Sequence, residues 1–315
     1  MGKVLVTGGA GFLGSHLCDA LISSGHEVVC LDNFISGSRD NLKHLEGNPQ
    51  FTLLEHDVSL PLPEKITGLT AIFHFASPAS PNPASPVSYM AHPIETLMAN
   101  SVGTKHMLDL ASANNCQIIL ASTSEVYGDP EIHPQTEDYV GRVSPNGPRS
   151  CYDESKRFME ALAFAYFRTQ KTKIKVIRIF NTYGPRMMLD EGRFIPTIVD
   201  CYLHKKTFLQ YGDGSATRSF CYVDDLIAGV IKVFERDVVG EVINLGNPEE
   251  YSVTNTIKVL EELTGEKLEV QVTDALADDP QRRQPDLTKA ARLLDWSPKI
   301  GLKEGLGKML AFYQE

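Results

Sequence analysis

The 315-residue sequence lacks any run approaching the roughly 18 consecutive apolar residues that a membrane-spanning helix needs, so no membrane partner is expected. It also lacks a Cys-x-x-Cys pair. Cys18, Cys30, Cys116, Cys151, Cys201 and Cys221 are widely scattered with no metal-ligand spacing, which predicts buried, reduced thiols and no bound metal. There is no basic patch: the formal charge of −10 is spread along the chain, which argues against binding to a nucleic-acid backbone. Any phosphate must then be met by local groups. No charged region followed by an apolar stretch precedes the strand at Lys3, and with reduced thiols this predicts a cytoplasmic protein. Hydrophobic residues at 42% and charged residues at 22% match soluble globular proteins. The length suits one large or two interlocked domains of about 100–200 residues each.

What the chain has is a rhythm. Apolar, β-rich runs at Lys3–Thr7, Glu27–Asp32, Phe51–Leu54, Ala71–Ala76, Gln117–Ser122 and Ile174–Phe180 alternate with amphipathic stretches from Ser15, near Ile94–Ala113 and near Tyr152–Arg168. Continuous apolar strands separated by helices predict a doubly wound α/β fold, a parallel sheet covered on both faces. After Phe180 the rhythm loosens into Gly- and Pro-rich loops between shorter elements, which predicts a first domain over 1–180 and a smaller α/β lobe over 181–315, interleaved with it. Asp286–Leu294 and Leu302–Tyr313 read as helices separated by a turn at Trp296–Pro298. The Ser77–Pro86 loop is long and proline-rich, a kind more often functional or mobile than structural.

Between the first strand and the first helix, Val4 to Leu17 places glycines at Gly8, Gly11 and Gly14. Such glycines allow a tight turn and close approach of backbone to a pyrophosphate, while the helix N-terminus presents N–H donors. Asp32 ends the next strand about 20 residues beyond the turn, where a carboxylate accepts the ribose hydroxyls of NAD and repels a 2′-phosphate. A Rossmann-type domain holding NAD rather than NADP is the expectation.

Tyr152 and Lys156 stand at i and i+4, on one face of a predicted helix. An ammonium beside a phenol favours the phenolate and lowers a pKa normally near ~10, which would make Tyr152 a base for a sugar hydroxyl. Thr123, at the C-terminal end of the strand from Gln117, can hydrogen-bond the same oxygen, and strand C-termini are where ligands sit in such sheets.

With these residues in place the chain resembles an extended short-chain dehydrogenase/reductase from Val4 to near Leu310. More narrowly, Ser77–Pro81, Ala121–Pro130, Gly147–Arg157 and Arg178–Met187 are similar to the corresponding strings of UDP-glucuronate decarboxylases, also called UDP-xylose synthases. The resemblance implies Thr123, Tyr152 and Lys156 as the catalytic trio, Ser124 and Glu125 facing the sugar, and Arg283 helping carboxylate release or protonation. It implies cofactor contacts from Gly8, Gly11, Phe12, Leu13, Gly14, Asp32, Asn33, Phe34, Ser36, Gly37, Asp57, Val58, Ser77 and Thr182, besides Tyr152 and Lys156. Substrate contacts would come from Ser80, Asn181, Arg193, Tyr211, Arg218 and Arg283, whose guanidinium forks suit diphosphate or carboxylate oxygens. It further implies a homodimer through the helices near Ile94–Ala113 and Tyr152–Arg168.

The expected reaction is NAD-dependent decarboxylation of UDP-glucuronate to UDP-xylose through a 4-keto intermediate. Ser124-Glu125 stands where dTDP-glucose dehydratases carry Asp-Glu, and Glu125 stands where 4-epimerases have a small neutral residue. The rival outcomes are a UDP-sugar 4-epimerase, a 4,6-dehydratase, a decarboxylase that stops at the keto-pentose, and a non-catalytic NAD-binding regulator. Two features depart from the decarboxylase pattern: Met98 replaces a lysine expected near the substrate, and the Ser77–Pro86 loop is several residues longer.

Overall fold

The computed structural model describes residues 1–62, 66–274 and 283–314. Strands β1 (Lys3–Thr7), β2 (Glu27–Asp32), β3 (Phe51–Glu55), β4 (Leu69–His74), β5 (Gln117–Thr123) and β6 (Lys173–Ile179) alternate with helices α1 (Phe12–Ser23), α2 (Pro93–Met98), α3 (Thr104–Ala113) and α4 (Ser150–Gln170). The chain continues through β7 (Thr182–Tyr183), α5 (Phe194–Leu203), β8 (Phe208–Tyr211), β9 (Thr217–Ser219), β10 (Cys221–Tyr222) and α6 (Val223–Glu235). It closes with β11 (Val242–Leu245), β12 (Glu250–Ser252), α7 (Val253–Thr264), β13 (Val270–Thr273), α8 (Thr288–Leu294) and α9 (Leu302–Gln314). Seven strands form one parallel sheet in the order β11-β6-β5-β4-β1-β2-β3. The strand order reverses beside β1, and this switch point opens a crevice at the strand C-termini.

Both faces of the sheet are dry, which is why the strands read as unbroken apolar runs. Val4 and Val6 pack into one core with Leu17 and Leu21 of α1 and Leu226 and Val230 of α6. Leu5, between them, joins Met107 and Leu108 of α3 and Met159 and Ala163 of α4 on the other face. The long helix anticipated near Ile94–Ala113 is broken in two by a π-turn at Ala99–Gly103, which the apolar pattern does not announce.

Two polar networks tie elements that are distant in sequence to one another. Glu160 of α4 accepts from the Ser122 hydroxyl at 2.5 Å and from Arg178 at 3.0 and 2.8 Å, lashing the helix to β5 and β6. Asn244, on β11 and fully buried, accepts from the Tyr127 hydroxyl at 2.7 Å and donates to the Gln135 carbonyl at 3.0 Å and, less closely, to that of Asp286. Gln135 in turn bonds the 284–286 backbone through Gln284 and Asp286 at 2.9 Å each. Residues 284–286 are thereby held against Gln135 and Asn244. Replacing Asn244 by Leu strands the Tyr127 hydroxyl without a partner and takes one of two donors from the Gln135 carbonyl. A loss of about 2–3 kcal/mol in urea unfolding is the expected result.

Candidate active site

A cavity of about 1490 Å³ lies along the C-terminal edge of the sheet and continues under the second lobe. A pocket for one small ligand usually measures roughly 300–1,000 Å³, so this one has room for two side by side.

One end of the cavity is a backbone cradle. Gly8 has φ +72°, and a Cβ there would stand 2.7 Å from the Ala76 nitrogen. At Gly14 a Cβ would stand 2.0 Å from the Gly8 carbonyl oxygen, so only glycine lets α1 pack this close to the turn. The turn delivers Gly11, Phe12 and Leu13 to the cavity wall, where the free N–H groups of a helix start suit a diphosphate. Asp32 receives one backbone N–H on each carboxylate oxygen, from Ala10 at 2.9 Å and from Phe34 at 2.8 Å. Each oxygen keeps a second lone pair for a ribose hydroxyl.

The far end carries the reactive groups. Tyr152 and Lys156 project from the first turns of α4, with the Lys156 ammonium 5.7 Å from the Tyr152 ring centre and donating to the Ala121 carbonyl at 2.8 Å. Thr123, the last residue of β5, lies beside the Tyr152 phenol and works against its burial by lowering its pKa. Beside them Glu125 is gripped by two guanidinium groups, that of Arg149 at the start of α4 and that of Arg283. A glycine cradle thus faces Thr123, Tyr152 and Lys156 across one cavity.

Comparison with known proteins agrees. Residues 4–246 match the model of the NAD dependent epimerase/dehydratase family. The chain belongs to this family. It is 44% identical over 313 residues to UDP-glucuronic acid decarboxylase 1 of Xenopus tropicalis, covering 99% of this chain and 72% of that one. It is 46% identical over 312 residues to UDP-glucuronic acid decarboxylase 1 of Arabidopsis thaliana, covering 99% and 70%. The crystal structure of UDP-glucuronic acid 4-epimerase from Bacillus cereus with UDP-glucuronic acid and NAD superposes with a TM-score of 0.87 at 29% identity, covering 99% of each chain. The doubly wound fold anticipated from the strand rhythm is the observed one, and NAD is the cofactor of the family.

Within this family member the structure brings together nearly all the residues singled out from sequence. The cavity wall includes Gly8, Gly11, Phe12, Leu13, Gly14, Asp32, Asn33, Ser36, Gly37, Asp57, Val58, Ser77 and Thr182 around the cradle. It includes Ser80, Thr123, Ser124, Glu125, Tyr152, Lys156, Asn181, Arg193, Tyr211, Arg218 and Arg283 toward the second lobe. Phe34 is the exception. Its side chain is not part of the wall; the Arg39 guanidinium covers the ring at 4.2 Å, and the residue serves Asp32 through its backbone N–H. Ser80 is in the wall with its hydroxyl already donated to the Glu191 carbonyl at 2.7 Å.

Met98 corrects an expectation. It lies outside the cavity wall and is 40% exposed on α2, so the missing lysine alters the outer face of a helix rather than the pocket. The longer loop does reach the site: Ser77 to Pro83, Val87 and Tyr89 all line it. Sequence reading passed over Tyr89, Arg149, Arg186, Glu191, Phe312 and Tyr313, which also form the wall. Arg149 lay inside a quoted string, Gly147–Arg157; Tyr313 comes from the last helix and gave no local signal.

The electrostatics also differ from the sequence expectation. Burial pushes the Tyr152 phenol up to about 12, against a lowering contribution from Thr123 and a smaller one from Arg193. Burial likewise pushes Lys156 down to about 7. Desolvation disfavours both charged forms and outweighs the mutual stabilisation expected from an i,i+4 pair. Glu125 behaves oppositely. Burial raises it, but Arg283 and then Arg149 outweigh that and hold it below its ordinary value.

Asp153 sits next to this cluster, and burial, reinforced by the Glu125 charge, pushes its carboxyl up from 3.8 to about 7. Between those values the folded protein keeps a proton that the unfolded chain has released. Its stabilising contribution is therefore intact below the lower value and lost as pH rises through the upper one. Asp153→Asn removes that dependence. Melting temperatures taken from pH 5 to pH 8.5 are expected to show the variant gaining on the parent as pH rises, by about 1 kcal/mol or more at the alkaline end.

Proposed function

We propose that this protein converts UDP-glucuronate to UDP-xylose and CO₂, using NAD without net consumption. The observation that carries this reading is the pair of guanidinium groups, Arg149 and Arg283, converging beside the Thr123–Tyr152–Lys156 trio. Two guanidinium charges against the one carboxylate of Glu125 leave a net positive wall next to the proton-transfer groups, which suits a sugar that carries its own carboxylate. The decarboxylase names of the relatives at 44–46% identity point the same way.

The cradle from Gly8 to Gly14 would hold the cofactor diphosphate and Asp32 its adenosine ribose, with Asn33, Ser36, Gly37, Asp57, Val58, Ser77 and Thr182 around them. Bound there, NAD supplies reversible hydride acceptance at the sugar C4. Tyr152 takes the proton of the C4 hydroxyl while Thr123 holds the same oxygen. The positive charge of Arg193 favours the phenolate that this step requires, and Lys156, which burial brings down to about 7, adds to it in its protonated form. The resulting C4 ketone is β to the C6 carboxylate. CO₂ departs with cleavage of the C5–C6 bond, whose electron pair passes into the enolate. Tyr152 and Thr123 then stabilise the enolate oxygen as donors. A proton from solvent adds at C5 as the enolate electron pair returns there, giving the 4-keto pentose, and Tyr152 returns its own proton to the C4 oxygen when the alcohol is restored. Arg193, Arg218, Asn181 and Tyr211 are assigned to the nucleotide diphosphate, and Arg283 to the departing carboxylate.

Incubation with UDP-glucuronate and NAD⁺, followed by NMR and mass spectrometry, is expected to yield UDP-xylose with no accumulation of NADH. Tyr152→Phe should lower kcat at least about 100-fold, the scale of a lost general base. A product that keeps its carboxyl group with C4 inverted would make the protein an epimerase instead.

The assembly is assigned as a homodimer and the compartment as the reducing cytoplasm. All six cysteines are free and buried, and among the described residues no helix is long and apolar enough to cross a membrane. Ile94, Leu97 and Met98 of α2 and Phe158 of α4 are exposed apolar side chains on two helices that pack together. A second copy of the same face would cover them. Light scattering should give a dimer mass for the parent and a monomer mass for Phe158→Glu.

A further inference from the structure

Tyr89 has no assigned part in the chemistry described so far, yet its setting is unusual. The side chain is 1% exposed, lines the cavity, and its phenol hydroxyl has no hydrogen-bond partner among the described residues. Its ring lies flat against that of Tyr152, with centroids 4.8 Å apart and planes within 8°. The backbone is held from two sides: the Tyr89 N–H donates to the Ser80 carbonyl at 3.1 Å, and the Cys151 thiol donates to the Tyr89 carbonyl at 3.5 Å. The loop that carries it is itself anchored, through the Ser80 hydroxyl, to the Glu191 segment on the opposite wall.

A phenol placed this firmly, with a buried hydroxyl left unsatisfied, carries a desolvation penalty that a partner in the cavity would relieve. Arg149, Glu125 and Asp153 are the charged groups that face it, together with the Tyr152 phenol. Burial raises the Tyr89 phenol well above its ordinary value, so it remains a protonated donor through the neutral range. Its complement is an acceptor oxygen on whatever lies against Tyr152.

We propose that Tyr89 is a sugar contact: its hydroxyl donates a hydrogen bond to an oxygen of the pyranose ring of a nucleoside diphosphate sugar, while its ring fixes the plane of Tyr152. The assignment rests on the reading that this cavity takes a nucleotide sugar, and it does not depend on whether that sugar loses its carboxyl group. The proline-rich loop then acts on specificity through a side chain that it holds, as well as by lining the wall.

The test uses the full chain loaded with NAD and measures affinity by calorimetry for UDP-glucuronate, UDP-glucose and UDP. Tyr89→Phe keeps the ring and removes the hydroxyl. It is expected to weaken both UDP-sugars about three- to tenfold and to leave UDP within twofold, the size of one lost hydrogen bond. Tyr89→Leu, which also removes the stack, should lower kcat beyond the Phe variant by at least about tenfold while changing KM little further, because the base loses its alignment. Unchanged sugar affinity in the Phe variant overturns the proposal, as does an equal loss for UDP or a parent protein that binds the sugars no better than UDP. Failure of the parent to decarboxylate UDP-glucuronate overturns the reaction assigned above and leaves the Tyr89 contact to be decided by these affinities.

Discussion

The buried ion cluster at Glu125 is the constraint on which the working geometry depends. One carboxylate is held by Arg149 and Arg283, and the three residues come from the end of β5, the start of α4 and the segment before α8. Taking one guanidinium away would remove a charge-assisted hydrogen bond to a buried carboxylate that the other still neutralises, a loss of about 1.5–3 kcal/mol. The cluster therefore ties separate parts of the chain together and puts a net positive charge on the cavity wall. Arg283 reaches it because Gln135 and Asn244 hold the following residues in place. A site read only as a list of reactive side chains would miss that dependence.

Around the cluster, burial decides protonation. Tyr152 and Lys156 are both driven toward their neutral forms, so the phenolate that the chemistry needs is not stored in the resting protein. The site is a dry, preorganised enclosure in which charges on bound ligands count for far more than they would in water. Arg193 illustrates the point from the opposite wall: it caps the start of α5 in the second lobe, yet its charge bears on the Tyr152 phenol.

Much of this was legible in the residues. The strands Lys3–Thr7 and Glu27–Asp32 are found where the apolar runs placed them, because a strand buried on both faces leaves no other pattern. The glycine turn was readable for the steric reason seen at Gly14, where a single added carbon would meet a carbonyl oxygen. The pKa directions at Tyr152 and Lys156 were not readable, since spacing along a helix says that two groups are near each other and nothing about how much water surrounds them. Nor was the π-turn at Ala99–Gly103, whose cause lies in tertiary contacts: Asn100 is fully buried there and donates to the Ser77 and Ser155 hydroxyls.

The two departures from the decarboxylase pattern show why sequence position is a poor measure of distance from the chemistry. Met98 lies two residues before Asn100, whose amide reaches Ser77 on the cavity wall, yet its own side chain faces outward from α2. The extended loop is remote in sequence from the second lobe but closes against it, with Ser80 bonded to Glu191 and Asn82 packed where a Cβ on Gly192 would stand 2.1 Å from its amide nitrogen. The loop is also folded on itself, by Ser85 and Tyr89 N–H groups donating to Asn82 and Ser80 carbonyls. Extra residues in such a loop change the wall of the cavity above the trio, which the chain meets again where Tyr89 stacks on Tyr152. The cavity wall and the Thr123–Tyr152–Lys156 trio are therefore built by parts of the chain far apart in sequence, joined where Tyr89 lies against Tyr152.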